Sequence, residues 1–132
     1  MAREVKREAS EGFLRQAEEF LSSARDNFAA RRLNAAGFDA VQSMVNANDA
    51  VTAHFLGMVA SLEHREAVRL HIDVVRILGD STQRDALKRA LDERSAFGYL
   101  GVAASRARVE RVLRDAARFL EWARRLVGAR RA

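Results

Sequence analysis

Apolar residues recur along this chain at spacings of three and four, with no sustained alternation of period two. Over residues 4–32, Val5, Ala9, Phe13, Ala17, Phe20, Leu21, Ala24 and Phe28 form one stripe, and Arg7, Glu11, Arg15, Glu18 and Arg25 lie opposite. That arrangement predicts a surface helix with one apolar face. Residues 34–55 predict a helix of another kind. Ala36, Ala40, Met44, Ala47 and Val51 line one side, while Phe38, Val41, Val45, Thr52 and Phe55 cover much of the rest. After Asp39 its only charged side chain is Asp49. A helix apolar nearly all round is a central, buried one.

A break follows at Gly57-Met58-Val59-Ala60-Ser61, with Ser61 as an expected N-cap. A third helix is predicted over 62–78, with Ala67, Val68, His71, Ile72, Val75 and Leu78 turned inward. Gly79-Asp80-Ser81-Thr82 reads as a stop and restart. The fourth helix starts near Thr82 and puts Leu87, Ala90, Leu91, Arg94, Phe97 and Leu100 or Gly101 on one face. A loop or kink is expected within 98–105. The fifth helix spans 106–127, its inner stripe of Val109, Val112, Leu113, Ala116, Leu120, Ala123 and Val127 widened by Phe119 and Trp122. Short connections favour antiparallel neighbours. The expectation is an all-α fold, an antiparallel up-and-down bundle of four to five helices forming a single domain over 1–132.

Composition agrees with this and removes several chemistries. Proline and cysteine are absent, so disulfides, thiolate metal sites and cysteine nucleophiles are excluded. The N-terminus is mixed in charge and lacks the apolar run of a signal peptide. No stretch reaches the length of a membrane span, and a cytoplasmic location is expected. The net charge is +5, and only Lys6 and Lys88 are lysines; the rest of the positive charge is arginine. Arginine suits bidentate contacts to phosphate, which points toward a nucleic-acid or nucleotide partner. The fifth helix is the most basic segment, with Arg106, Arg108, Arg111, Arg114, Arg118, Arg124, Arg125, Arg130 and Arg131. Most of these read as a solvated face. A phosphate-tracking surface is the alternative, and no aromatic residues interleave with it to stack bases.

Candidate chemistry lies where polar residues interrupt apolar stripes. His54, His64 and His71 are the only histidines. They lack the spacing of a zinc site, and no metal or cofactor is expected. No phosphate loop, dinucleotide fingerprint or nucleophile elbow occurs. Asn46, Asn48 and Asp49 interrupt the central helix, and Arg94 interrupts the fourth, with Tyr99 five residues on. Buried polar groups need partners. The structural reading is interhelical hydrogen bonds or an oligomer-register device at the asparagines, and an Asp49–Arg94 salt bridge capped by Tyr99. The functional reading is a polar pocket that meets a ligand.

The order of these pieces resembles the HEPN family of helical domains. The pieces are Phe13-Leu14-x-x-Ala17 and Phe20-Leu21-x-x-Ala24, then Asn34-Ala35-Ala36-Gly37-Phe38-Asp39-Ala40-Val41-Gln42 with Asn46-Ala47-Asn48-Asp49-Ala50. His64-Arg65-Glu66-Ala67-Val68, Arg94-Ser95-Ala96-Phe97-Gly98-Tyr99 and Ala116-Ala117-Arg118-Phe119-Leu120 follow. The resemblance covers nearly the whole chain. It implies a helical bundle, usually a homodimer, that works around RNA or nucleotides. Many members are metal-independent ribonuclease toxins paired with a nucleotidyltransferase antitoxin, and their motif is an arginine followed four to six residues later by histidine.

Here the corresponding stretch is Arg94-x(4)-Tyr99, with tyrosine in the place of histidine. A phenol ionises near ~10 and an imidazole near ~6.5, so this departure points away from acid–base catalysis. The leading expectation is a non-catalytic, homodimeric module that binds RNA or a nucleotide. In it Arg94 and Tyr99 share a groove with Asn48 and Asp49; Arg94 contacts phosphate and Asn48 a base or sugar. One alternative is a ribonuclease toxin using a second formal match, Arg65-x(5)-His71, on the third helix, with Arg65 and His71, or Arg94 across the dimer, as its catalytic groups. Another is a bundle that only binds proteins, through the second helix or an apolar rim of Phe119 and Trp122.

Overall fold

In a computed structural model of the chain, residues 2–60 and 63–128 are described. Helices dominate: α1 (Ser10–Ala29), α2 (Leu33–Leu56), α3 (His64–Leu78), α4 (Arg84–Gly98) and α5 (Arg106–Gly128). The expected N-cap Ser61, the predicted helix start at Leu62, and the arginines at 130 and 131 lie outside the described residues.

The first helix begins later than its stripe suggested. Arg3–Glu4 (β1) pairs antiparallel with Met58–Val59 (β2), Arg3 opposite Val59 and Glu4 opposite Met58. Val5 N–H donates to Gly57 O at 3.0 Å. A short 3-10 turn over Arg7–Ala9 then leads into α1. Two residues are too few to reveal a period-two pattern, and their partner strand lies far along the chain.

The helix ends follow local chemistry. α2 and α3 stop at Gly57 and Gly79, both in the left-handed region (φ 67° and 71°), where glycine meets no Cβ penalty. Before α4, Asp80 Oδ1 accepts from Thr82 N–H at 2.9 Å and from Thr82 Oγ at 2.7 Å. Ser105 caps α5 by accepting from Arg108 N–H at 3.2 Å.

α2 is the central element and packs on all four other helices. Sixteen of its residues are buried, from Ala36 to His54, as its nearly continuous apolarity predicted. Small residues let α1 come close enough for Ser43 Oγ to donate to Ala17 O at 2.7 Å. Asp39 meets Ser23 and Asn27, while Asn46 meets Gln16, so α1 and α2 run antiparallel. Arg108 faces Glu93 and Arg89 faces Asp115, so α4 and α5 also run antiparallel. The chain is an all-α bundle with a two-residue strand pair at its edge.

Two stripes sit differently from expectation. On α3 the buried line is Ala67, Leu70, His71 and Val74. Leu70 and Val74 are the inward residues in place of Ile72 and Val75, which are half-buried. Phe20, assigned to the α1 stripe, is exposed, and Ala17, Leu21 and Ala24 carry that contact. The α5 stripe is as predicted except at Leu113, which is half-buried, and Phe119 and Trp122 are fully inside it. Large side chains wholly removed from water contribute on the order of 2–3 kcal/mol each, which makes these two part of the core. The expected apolar rim is therefore absent there, and α2 is too deeply packed to offer an interface.

Candidate functional site

The polar residues singled out in the sequence fall into two clusters. Asn48 lies ten residues beyond Phe38 on α2, an axial offset of ~15 Å. Arg94 and Tyr99 pack at the Phe38 end, so the single groove expected from Arg94, Tyr99, Asn48 and Asp49 does not form.

The Asn48 cluster is closed. Asn48 Nδ2 donates to Ala67 O at 3.3 Å, and its Oδ1 stands 3.0 Å from His71 Nδ1. With the amide so oriented, His71 Nδ1 carries the proton and donates. His71 is 0% exposed. Its ring lies against Phe119 (5.8 Å between centroids) and Trp122 (5.4 Å). Trp122 Nε1 in turn donates to Asp80 Oδ2 at 3.1 Å. Burial, helped by the Arg84 charge and partly opposed by Asp80, holds the imidazole pKa down to about 4. His71 Nε2 is buried with no hydrogen-bond partner among the described residues. A neutral imidazole tolerates this; an imidazolium would be a charge in the core.

Asp49 is buried beside this knot, and its backbone carbonyl accepts from Thr52 Oγ1 at 3.4 Å. It is not the ion partner of Arg94, which makes no ion pair among the described residues. The formal Arg65–His71 match also comes apart. Arg65 is exposed and His71 is sealed inside, so the two present no shared surface to a substrate.

The Arg94 cluster is open. At the N-terminal end of α2 and the C-terminal end of α4, two glycine–aromatic contacts interlock. A Cβ on Gly37 would stand 2.6 Å from the Phe97 ring, and one on Gly98 would stand 2.7 Å from the Phe38 ring. Each helix thus gives up a side chain to admit the other's phenyl ring. This close crossing sets Arg94 against two aromatics: its Cζ is 5.3 Å from the Phe38 centroid and 5.8 Å from that of Tyr99. The rings of Phe38 and Tyr99 meet edge-on at 6.0 Å. Arg94 Nε is buried without a hydrogen-bond partner among the described residues.

Beside these groups is a cleft of about 270 Å³, lined among others by Asn34, Phe38, Asp39, Phe97 and Tyr99. Tyr99 is 66% exposed. Asn34 shapes the cleft, a role the sequence did not disclose. Its Nδ2 donates to Phe97 O at 3.1 Å and to Val102 O at 2.7 Å, while its Oδ1 accepts from Ala104 N–H at 2.9 Å. One amide therefore ties the end of α4 and the 99–105 loop to α2. The available signal was an asparagine at the start of an otherwise apolar helix. Asp39 Oδ2 already accepts from Ser23 and Asn27 (2.7 and 2.9 Å), which fixes its carboxylate at the cleft edge.

The arrangement combines a guanidinium, an exposed phenol ring and a held carboxylate. It can meet a phosphate, a planar base and a hydroxyl or amino donor respectively. Among the described residues no group of three or more histidine, aspartate or glutamate side chains gathers as a metal site. His64 faces Asp92 at 3.3 Å on the surface, and His54 lies edge-on to Phe55 near the end of α2. No described helix is long and apolar enough to cross a membrane. The family model of the HEPN domain matches residues 10–126, from the start of α1 to the last turn of α5. No curated protein matches the chain.

Proposed function

Because the chain belongs to the HEPN domain family, a family of nucleotide- and RNA-related modules, we propose that it binds a nucleotide or RNA at the Arg94 cleft, without catalysis and as a homodimer. The observation that carries this reading is Arg94 itself. Its guanidinium is packed against Phe38 and Tyr99 and has no carboxylate to neutralise it among the described residues. A charge held in that way favours an anion from outside. Phosphate on Arg94 leaves Tyr99 to stack a base and Asp39 to accept from a sugar or base donor.

The groups at hand support a reading without turnover. Tyr99 occupies the position where a histidine would move protons, and His71 is sealed in the core. Homodimerisation is supported by exposed apolar surface next to the cleft: Tyr99, Leu100 and Val102 are all more than half exposed. Two copies meeting there would bring two clefts together.

The test is titration of the protein with mononucleotides and short RNAs, beside Arg94→Ala. Removing a charge-assisted phosphate contact should weaken binding by about tenfold or more. No binding by the unsubstituted protein, or equal binding by Arg94→Ala, overturns the reading. Light scattering checks the homodimer, which a strict monomer at working concentration would refute.

A further inference from the structure

One arginine, Arg94, stands behind the Phe38 and Tyr99 rings that line the cleft, and α5 carries many more. They divide into two groups by what they face. Arg106 meets Glu110 at 3.1 Å and lies 4.6 Å over the Phe28 ring. Arg108 faces Glu93 of α4 at 3.6 Å. Arg124 reaches Glu18 of α1 at 3.1 Å and Glu121 at 3.5 Å. These three are engaged by carboxylates. Arg111, Arg114, Arg118 and Arg125 are exposed, and none makes an ion pair among the described residues.

The four unpaired arginines form a line. A helix turns ~100° and rises ~1.5 Å per residue, so Arg111, Arg118 and Arg125 follow one another at ~10.5 Å with ~20° of drift. Arg114 falls between the first two. All four lie within a wedge of ~60° that faces away from the core and extends ~21 Å along the helix.

A trough runs beside this line, between the start of α4 and α5. It consists of two clefts of about 310 and 360 Å³ that share Gln83 and Arg118. Arg89 and Thr82 line the first and Arg125 the second. The carboxylates nearby already have partners: Asp115 has Arg89 at 3.3 Å, Glu121 has Arg124 at 3.5 Å and Asp85 has Arg84 at 3.6 Å. Asp80, which feels the Arg125 charge, accepts from Thr82 and Trp122. The surplus on this face is therefore positive.

We propose that the unpaired arginine line of α5, with its adjoining trough, tracks the sugar–phosphate backbone of a single RNA strand. This deepens the nucleotide or RNA reading of the Arg94 cleft and rests on it. A lone phosphate does not need cations spread over that length. A lipid surface would need large apolar side chains on the same face, and none of the exposed large hydrophobic residues lies on α5. Without aromatics to stack bases, the contact is to backbone and indifferent to sequence.

The test compares two double substitutions that remove the same charge from the same helix. Arg118→Gln with Arg125→Gln removes unpaired arginines; Arg106→Gln with Arg124→Gln removes paired ones. All four positions are exposed, so thermal unfolding of both variants should stay close to that of the unsubstituted protein. Affinity for a labelled oligouridylate long enough to span the line is measured against salt, and affinity for uridine 5′-monophosphate reads the cleft separately. The first pair should lose on the order of tenfold in oligomer affinity, with the log–log salt slope shallower by about 1.4 for two phosphates released. The second pair should change affinity by less than about twofold, because its arginines already spend their charge on carboxylates. Equal losses in the two pairs, no loss in the first, or binding of anionic vesicles in place of RNA overturns the proposal. If uridine monophosphate binds and depends on Arg94 but oligomers bind no more tightly, the line falls and the cleft stands. If oligomers bind through the line and Arg94→Ala changes nothing, the cleft falls instead.

Discussion

The Asn48–His71 knot and the Arg94 cleft are alike in sequence and opposite in structure. Each places polar groups in an apolar helical stripe. At the first, α2, α3 and α5 close over the polar atoms, and Asn48 uses its amide on Ala67 O and His71. At the second, the helices end, and Arg94 is left between two rings beside a cleft with Tyr99 exposed. The difference lies in position along the helix. A misfit polar residue near the middle of a central helix must be satisfied from within. One near an end can be satisfied from outside.

That contrast can be broken by substitution. The largest expected effect is at the knot. Asn48→Ala leaves the His71 Nδ1–H without its acceptor and opens a small void, and should cost about 3 kcal/mol in denaturant unfolding. A loss below ~1 kcal/mol would mean that the knot contributes little.

Next comes pH. The folded pKa of His71 is about 4, below its ordinary 6.5, because burial disfavours the charge. The unfolded chain takes the proton first as pH falls, so this contribution is complete above about 6.5. It is lost between there and about 4, and amounts to roughly 3 kcal/mol. His71→Leu should remove that part of the acid dependence, although its baseline stability is lower. An unchanged slope in the variant would show that other groups set the acid limb.

Gly37→Ala follows. In an open helix the change would stabilise by ~1 kcal/mol. Here the new methyl meets the Phe97 ring at 2.6 Å, and overpacking costs roughly 1–3 kcal/mol. Net destabilisation is expected, together with weaker nucleotide binding, since the α2–α4 crossing sets the cleft. A more stable variant with unaltered binding would contradict the interlock.

Much of this was legible in the chain. Continuous apolarity over 34–55 marked α2 as central, and the glycines at 57 and 79 marked two helix ends. The α5 stripe was correct but for the half-buried Leu113, because one face is strongly apolar and the other strongly charged. The α3 stripe was not: Leu70, Ile72, Val74 and Val75 crowd the helix with apolar side chains, so more than one face fits a period of 3.6. The β1–β2 pair depends on partners distant in sequence, which periodicity cannot see. At the site, Arg94 and Tyr99 were found as neighbours because they lie on one local segment. Their grouping with Asn48 and Asp49 failed because membership in apolar stripes does not fix axial level. Asn34 was missed as a site residue because its three bonds reach Phe97, Val102 and Ala104, all remote in sequence.

The most direct test is thermal unfolding with and without nucleotide, run in parallel on Arg94→Ala and Asn48→Ala. A ligand at a hundred times its dissociation constant stabilises the folded chain by about 2.7 kcal/mol. The account predicts that Arg94→Ala unfolds within about 1 kcal/mol of the unsubstituted protein but loses the ligand-induced rise, whereas Asn48→Ala unfolds earlier and keeps it. The reverse pattern, with the rise intact in Arg94→Ala and abolished in Asn48→Ala, would contradict it.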